Sequence, residues 1–162
     1  MNIEERLARL EALEAIRRLK ARFLNACDRQ DPEAVRDCFA EGEVIIDMSY
    51  FGQCANRDEF VDGIFVPRGC HEHVLDLHQC ANPELEILDD TSARGVWSLN
   101  YRNINTLERT VTLLSALYHD EYRKIDGEWK ISRSRTEYRT VLNCTYEPGT
   151  LEVQVAARSL AG

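Results

Sequence analysis

The polarity pattern of the chain changes character once, near His71. Before that point apolar residues recur at helical spacing, and after it they alternate every second residue to about position 142. Helices first and a long antiparallel meander after them make an α+β domain. Strands are expected at about 71–80, 84–88, 93–107, 109–124 and 128–142. Asp89-Asp90-Thr91-Ser92, a tight reversal near 105–108, and Ile125-Asp126-Gly127 connect them, and Asp-Gly is a hairpin signal. A curved sheet of this kind, wrapped around the first helix, leaves a cavity between the two. No repeat or low-complexity linker divides the 162 residues, so one domain over 1–162 is expected.

Residues 2–29 contain neither Gly nor Pro and read as one helical stretch. Its apolar positions are Ile3, Leu7, Leu10, Leu13, Ile16, Leu19, Phe23 and Cys27. Four successive steps of three make this stripe drift, because a turn takes about 3.6 residues. Ile3, Leu7 and Leu10 therefore gather on one face, and Ile16, Leu19, Phe23 and Cys27 on nearly the opposite one. Either the helix breaks near 11–14, or its first turns pack on a second subunit. Asp31-Pro32 starts the next helix, with a cap acceptor ahead of Pro. That helix turns Val35, Cys38 and Phe39 inward and stops at Gly42. Short strands are expected at 43–47 and 50–54. Asn56-Arg-Asp-Glu59 resembles a capping box opening a helix with Phe60, Val61, Ile64 and Phe65, closed by Pro67 and Gly69.

A net charge of −8 argues against nucleic acid, whose phosphates need clustered Lys and Arg, and against an anionic membrane surface. No apolar run approaches the roughly 18 residues of a spanning helix. The opening Met-Asn-Ile-Glu-Glu-Arg lacks the apolar segment of a secretory signal, so a cytoplasmic chain is expected. Six cysteines without a CxxC pair then read as small buried side chains or free thiols. Cys70, His71, His73, His78 and Cys80 do not make a metal site, because the cysteines alternate away from the His71–His73 face. No metal and no cofactor are expected, and no phosphate loop, nucleophile elbow or dinucleotide fingerprint appears.

Trp97, Leu99 and Tyr101 share one strand face, a suitable wall for a planar or polycyclic ligand. Arg133, Arg135, Glu137 and Arg139 continue the face of Trp129 and Ile131. Such a charge series is either a strand leaving the core at a dimer edge or an ion pair in the cavity that orients a polar substrate through Arg135. Asp28 lies about 140° from the centre of the Ile16–Cys27 stripe on an ideal helix, which alone makes it a solvated residue of the last turn. His78 is the side chain type best suited to move a proton near neutral pH.

Ala15-Ile-Arg-Arg-Leu-Lys-Ala-Arg-Phe23 followed by Asp28 resembles the first-helix pattern of the SnoaL-like branch of the NTF2-like (cystatin-like) superfamily. Residues 39–47, His78-Gln-Cys-Ala-Asn82-Pro83-Glu-Leu-Glu-Ile87 and residues 118–131 resemble that family's later passages, in the same order. The resemblance implies an α+β cone. In its dehydratase members it implies an Asp on the first helix working with a His on the sheet, which selects Asp28 and His78. A half-buried carboxylate beside Phe23 would have its charged form disfavoured, moving it toward a useful acid or base. Phe23 stands where those members carry a Tyr, Ala81 where the bile-acid version has its working His, and Tyr101 near the expected acidic residue.

Two function classes follow. One is cofactor-free proton transfer, as in a dehydratase, isomerase or cyclase, on a hydrophobic or aromatic small molecule. Asp28 and His78 carry the protons there, and Phe23, Tyr50, Trp97, Tyr101, Tyr118 and Arg135 line the substrate. The other is a non-catalytic binding or structural subunit, like the β-subunits of ring-hydroxylating dioxygenases. A homodimer or homotrimer is expected, with Ile3, Leu7 or Leu10 at the contact.

Overall fold

The computed structural model describes residues 2–154. Helix α1 (Ile3–Asp28) opens on a reciprocal capping box. The Asn2 side chain accepts from the Glu5 N–H, and the Glu5 carboxylate accepts from the Asn2 N–H, both at 2.8 Å. The helix is unbroken through positions 11–14, so of the two outcomes its drifting stripe allowed, the break does not occur. Its second half packs on the sheet, and the first half touches it through Arg9, whose Nη2 donates to the Ile87 carbonyl at 3.1 Å. Ile16, Leu19, Phe23, Ala26 and Cys27 are buried, whereas Ile3, Leu7 and Leu10 are 80%, 54% and 63% exposed.

The end of α1 is tight. Asp31 N–H donates to the Ala26 carbonyl and Gln30 N–H to that of Cys27, a Schellman pattern whose left-handed position is Gln30 at φ 58°. Glycine is usual there, but this glutamine has a second task. Its Nε2 donates to the carbonyls of His71 and Val74, each at 3.0 Å, and so clips the start of the sheet to the end of the helix. Asp31 then caps α2 (Pro32–Asp37), accepting from Ala34 N–H. Val35, Cys38 and Phe39 are buried as expected, although α2 ends before Phe39, which bridges to Ile131 instead.

Strand β1 (Ile45–Asp47) follows, and the strand expected over 50–54 is reduced to β2 (Gln53–Cys54). A 3-10 turn (Ser49–Phe51) takes up the rest, so Tyr50 belongs to a turn and not to a strand. Asn56 caps α3 (Arg57–Phe60), which passes through a π-helical turn (Val61–Phe65) into α4 (Val66–Gly69). Phe60, Val61 and Phe65 are buried against α1 and α2.

Four long strands complete the chain: β3 (Val74–Ile87), β4 (Ser92–Asn105), β5 (Thr110–Ile125) and β6 (Glu128–Thr145). The sheet order is β2-β1-β6-β5-β4-β3, antiparallel throughout except for the parallel β1–β6 pair. This is the α+β arrangement expected, a long helix against a mostly antiparallel six-stranded sheet. Trp97, Leu114 and Trp129 are buried in it. Asp126 and Gly127, both at positive φ, form the two-residue hairpin between β5 and β6.

The segments 71–80 and 84–88 are one strand rather than two, with a bulge between Ala81 and Glu84. Pro83 is tolerated there because β3 is an edge strand. Opposite the bulge, a side chain on Gly95 would meet Leu85 Cδ2 at 2.3 Å and the Glu84 carbonyl at 3.3 Å, so the close approach requires glycine. A second bulge, in β6, corrects the reading of its charge series. Tyr122 pairs with Ile131 but Glu121 pairs with Arg133, leaving Ser132 as the extra residue. The extra residue reverses the alternation. Trp129 and Ile131 point to the core before it, Ser134 and Thr136 after it, and Arg133 and Arg135 turn to the outer face.

Candidate active site

Where the sheet curves around the C-terminal half of α1, it encloses a cavity of about 660 Å³. Phe23, Phe39, Phe60 and Phe65 from the helical layer form one wall. Leu99, Tyr101, Leu114, Tyr118 and Tyr138 from β4, β5 and β6 form the other. Phe23 meets Phe39 edge to face at 5.2 Å, and Phe39 meets Phe60 at 5.5 Å, so this wall is packed aromatic surface.

His78 stands at the polar end of the cavity, on edge strand β3. An edge strand leaves half of its backbone N–H groups unpaired by the sheet. That of His78 meets the Asp28 carboxylate, 3.1 Å from each oxygen. The same carboxylate lies 2.6 Å from His78 Nδ1. A carboxylate accepts, so the contact assigns a proton to Nδ1, and the tautomer that this selects for a neutral ring has its lone pair at Nε2. No described residue bonds Nε2, and among the described residues no buried side-chain nitrogen or oxygen lacks a partner, so Nε2 stays accessible. Both side chains are mostly covered, at 15% exposure for His78 and 19% for Asp28.

Asp28 reaches this position at the end of a regular helix, not by unwinding its last turn. The Gln30 clip brings β3 to the carboxylate. Asp28 is not itself a lining residue of the cavity. It stands behind the imidazole, so the two do not face the chamber side by side.

The other expected ligand contacts divide. Phe23, Tyr101 and Tyr118 line the cavity. Trp97 does not: it is buried beneath the helix, its indole N–H donating to Tyr122 Oη at 2.8 Å. Arg135 is also outside, on the outer face beside Glu137, as the β6 bulge dictates. The backbone of Tyr50 is in the turn, and its side chain lies outside the described residues.

Two groups of polar residues escaped the sequence reading. Asp76, one step before His78 on the same strand face, accepts at Oδ1 from Tyr101 Oη and from Asn103 Nδ2, each at 2.7 Å. Its signal was the period of two that it shares with His78. Beneath the floor, Lys20 Nζ donates to Asp120 Oδ2 at 2.8 Å, with both side chains sealed from solvent. Asp120 also accepts from Tyr122 Oη and from Ser134 Oγ. Lys20 Nζ lies 3.7 Å from the centre of the Tyr118 ring, a cation–π contact. A lysine directly after Leu19 on the buried stripe was the available clue.

Two phenols and a thiol near the cavity are held neutral. Burial, then the Asp76 charge, pushes the Tyr101 phenol far above its ordinary range. Burial does the same for Tyr118. The Cys27 thiol is raised by burial and next by Asp28. At neutral pH neither a phenolate nor a thiolate is at hand, which leaves the imidazole and the carboxylates to carry protons. Among the described residues no three His, Cys, Asp or Glu side chains gather closely enough to hold a metal ion. No helix among them is long and apolar enough to cross a membrane.

A family model described as a SnoaL-like domain matches residues 8–135. Among solved structures, a candidate scytalone dehydratase from Novosphingobium aromaticivorans is similar at 20% identity and a TM-score of 0.75, over 96% of this chain and 97% of that one. The hexachlorocyclohexane dehydrochlorinase LinA-type3 from Novosphingobium barchaimii is similar at 20% identity and a TM-score of 0.73, over 88% and 98%. A Nostoc punctiforme protein of unknown function with a cystatin-like fold is similar at 23% identity and a TM-score of 0.63, over 80% and 92%. At these identities the likeness establishes the fold.

Proposed function

The chain belongs to the SnoaL-like family, and from that premise we propose that it is a cofactor-free proton-transfer enzyme of dehydratase, isomerase or cyclase type. Its substrate is a hydrophobic, aromatic or polycyclic small molecule held in the cone cavity. The observation that carries this reading is the 2.6 Å contact between Asp28 and His78 Nδ1 at one end of a cavity with aromatic walls. His78 Nε2 takes a proton from a carbon next to an electron-withdrawing group. Asp28 keeps the ring in the required tautomer and stabilises the imidazolium that forms. The imidazolium then returns the proton to a leaving oxygen or to another carbon of the same substrate. The apolar walls exclude water, which strengthens the Asp28–imidazolium attraction as the charge develops.

Hydrogen–deuterium exchange into α-tetralone, a cyclic ketone with acidic C–H bonds, tests the reading without knowledge of the natural substrate. Proton NMR in D₂O is expected to show exchange faster than in buffer alone, and His78→Gln to reduce the enzyme's share about 10²–10⁴-fold. Exchange at the buffer rate while the ketone is demonstrably bound would favour the second class, a binding subunit. Phe23 supports that alternative, because a phenyl ring packed on Phe39 occupies the position where dehydratase members carry a phenol.

A further inference from the structure

Of the two Asp76 carboxylate oxygens, only Oδ1 is engaged. It receives both Tyr101 Oη and Asn103 Nδ2, and no described residue donates to Oδ2. Asp76 lines the cavity, and since no buried side-chain oxygen among the described residues is left without a partner, Oδ2 is accessible there. The space beside it exists because position 69 is glycine. A Cβ on Gly69 would lie 3.9 Å from Oδ2 and 3.5 Å from the Phe65 ring.

Two hydrogen bonds on Oδ1 hold the side chain in one orientation. Its charge is felt nearby, since it is one of the causes raising the Tyr101 phenol and the Cys27 and Cys70 thiols. A carboxylate oxygen open to a chamber with aromatic walls calls for a hydrogen-bond donor. Arg68 lines the same cavity, 5.3 Å over the Phe51 ring, and its positive charge disfavours a cationic donor. Asp76 and His78 are one two-residue step apart on a strand, about 6.6 Å, close to the width of one six-membered ring with its substituents.

From the free oxygen, the glycine gap and this spacing we infer that Asp76 Oδ2 is a substrate anchor. It accepts a hydrogen bond from a neutral hydroxyl group about one ring away from the carbon that faces His78. The inference deepens the proton-transfer reading by naming a substrate class, hydroxylated rings, in place of purely apolar molecules. It makes Asp76 a specificity-determining residue, distinct from the Asp28 that orients the imidazole.

The test compares 2-naphthol with naphthalene, each titrated by its own fluorescence into the full chain and two variants. Asp76→Asn keeps an acceptor for Tyr101 and Asn103 but turns the free position from acceptor to donor. Gly69→Ala leaves every hydrogen bond intact and sets a methyl group against Oδ2 at ordinary contact distance. Asp76→Asn is expected to weaken 2-naphthol about tenfold or more, the worth of a hydrogen bond to a charged group, and to leave naphthalene unchanged. Gly69→Ala is expected to weaken 2-naphthol selectively and by less. Equal affinity of the wild type for both probes, unmoved by either variant, would overturn the anchor while leaving the cavity reading intact. Loss of both probes in Asp76→Asn would make the residue a wall support, which also overturns it. Failure of the wild type to bind either probe would overturn the anchor and the cavity reading together.

Discussion

Lys20 and Asp120 face each other with essentially no access to water, an arrangement in which removal of one partner strands the other. A lone buried charge is costly, and breaking such pairs typically destabilises by about 3–5 kcal/mol. Lys20→Met is therefore expected to lower unfolding stability by roughly that amount in a denaturant titration. The double change Lys20→Met with Asp120→Asn is expected to recover part of it, and additive losses would contradict the pairing. Lys20 also fixes the Tyr118 ring, and Ser134, which lines the cavity, donates to Asp120. The pair thus sets the floor of the chamber. At this scale the sequence was only partly legible. The candidate pair Asp28 and His78, fifty positions apart, came from family resemblance, since helical geometry turned Asp28 away from the buried stripe. Asp76, Asn103 and Asp120 were hidden because alternation says which face a side chain takes, not which partner it finds there.

Elements explain why those residues meet. The Schellman end of α1 places Gln30 in the left-handed region, and its amide then holds the carbonyls of His71 and Val74. Gln30→Ala keeps the backbone strain and removes both bonds. It is expected to cost about 1–2 kcal/mol in unfolding experiments and to speed amide exchange in the first residues of β3. Unchanged exchange there would mean that α1 and β3 are joined by packing alone. Strand existence was readable from alternation, but bulges were not, because one extra residue looks like continued alternation until the partner strand is known. Ser132 shows the consequence. Read without the bulge, Arg135 belongs to the cavity; with it, Arg135 faces outward.

For the molecule as a whole, the change of period near His71 was enough to order helices before sheet, and physical pattern and family resemblance agreed on the cone. What a single chain does not account for is its exposed apolar surface. Ile3, Leu7 and Leu10 project from the half of α1 that the sheet does not cover, and Leu113 and Leu142, paired across β5 and β6, are exposed as well. Such surface suits contact between copies. Light scattering is expected to give a dimer or trimer mass, and Leu7→Glu with Leu10→Lys to shift it toward the single chain. A wild-type monomer at working concentration would remove α1 from consideration as a contact.

The Asp28 carboxylate binds a backbone N–H as well as an imidazole, and the two duties impose different evolutionary constraints. Closing the edge of β3 needs an acceptor at the end of α1 but makes no demand on the side chain at position 78, proline excepted. On the proposed chemistry, a lineage in which it lapses leaves His78 free to drift, while the backbone bond still calls for Asp28. The aspartate is then a record of architecture, and the histidine is the residue whose persistence would report the proposed use.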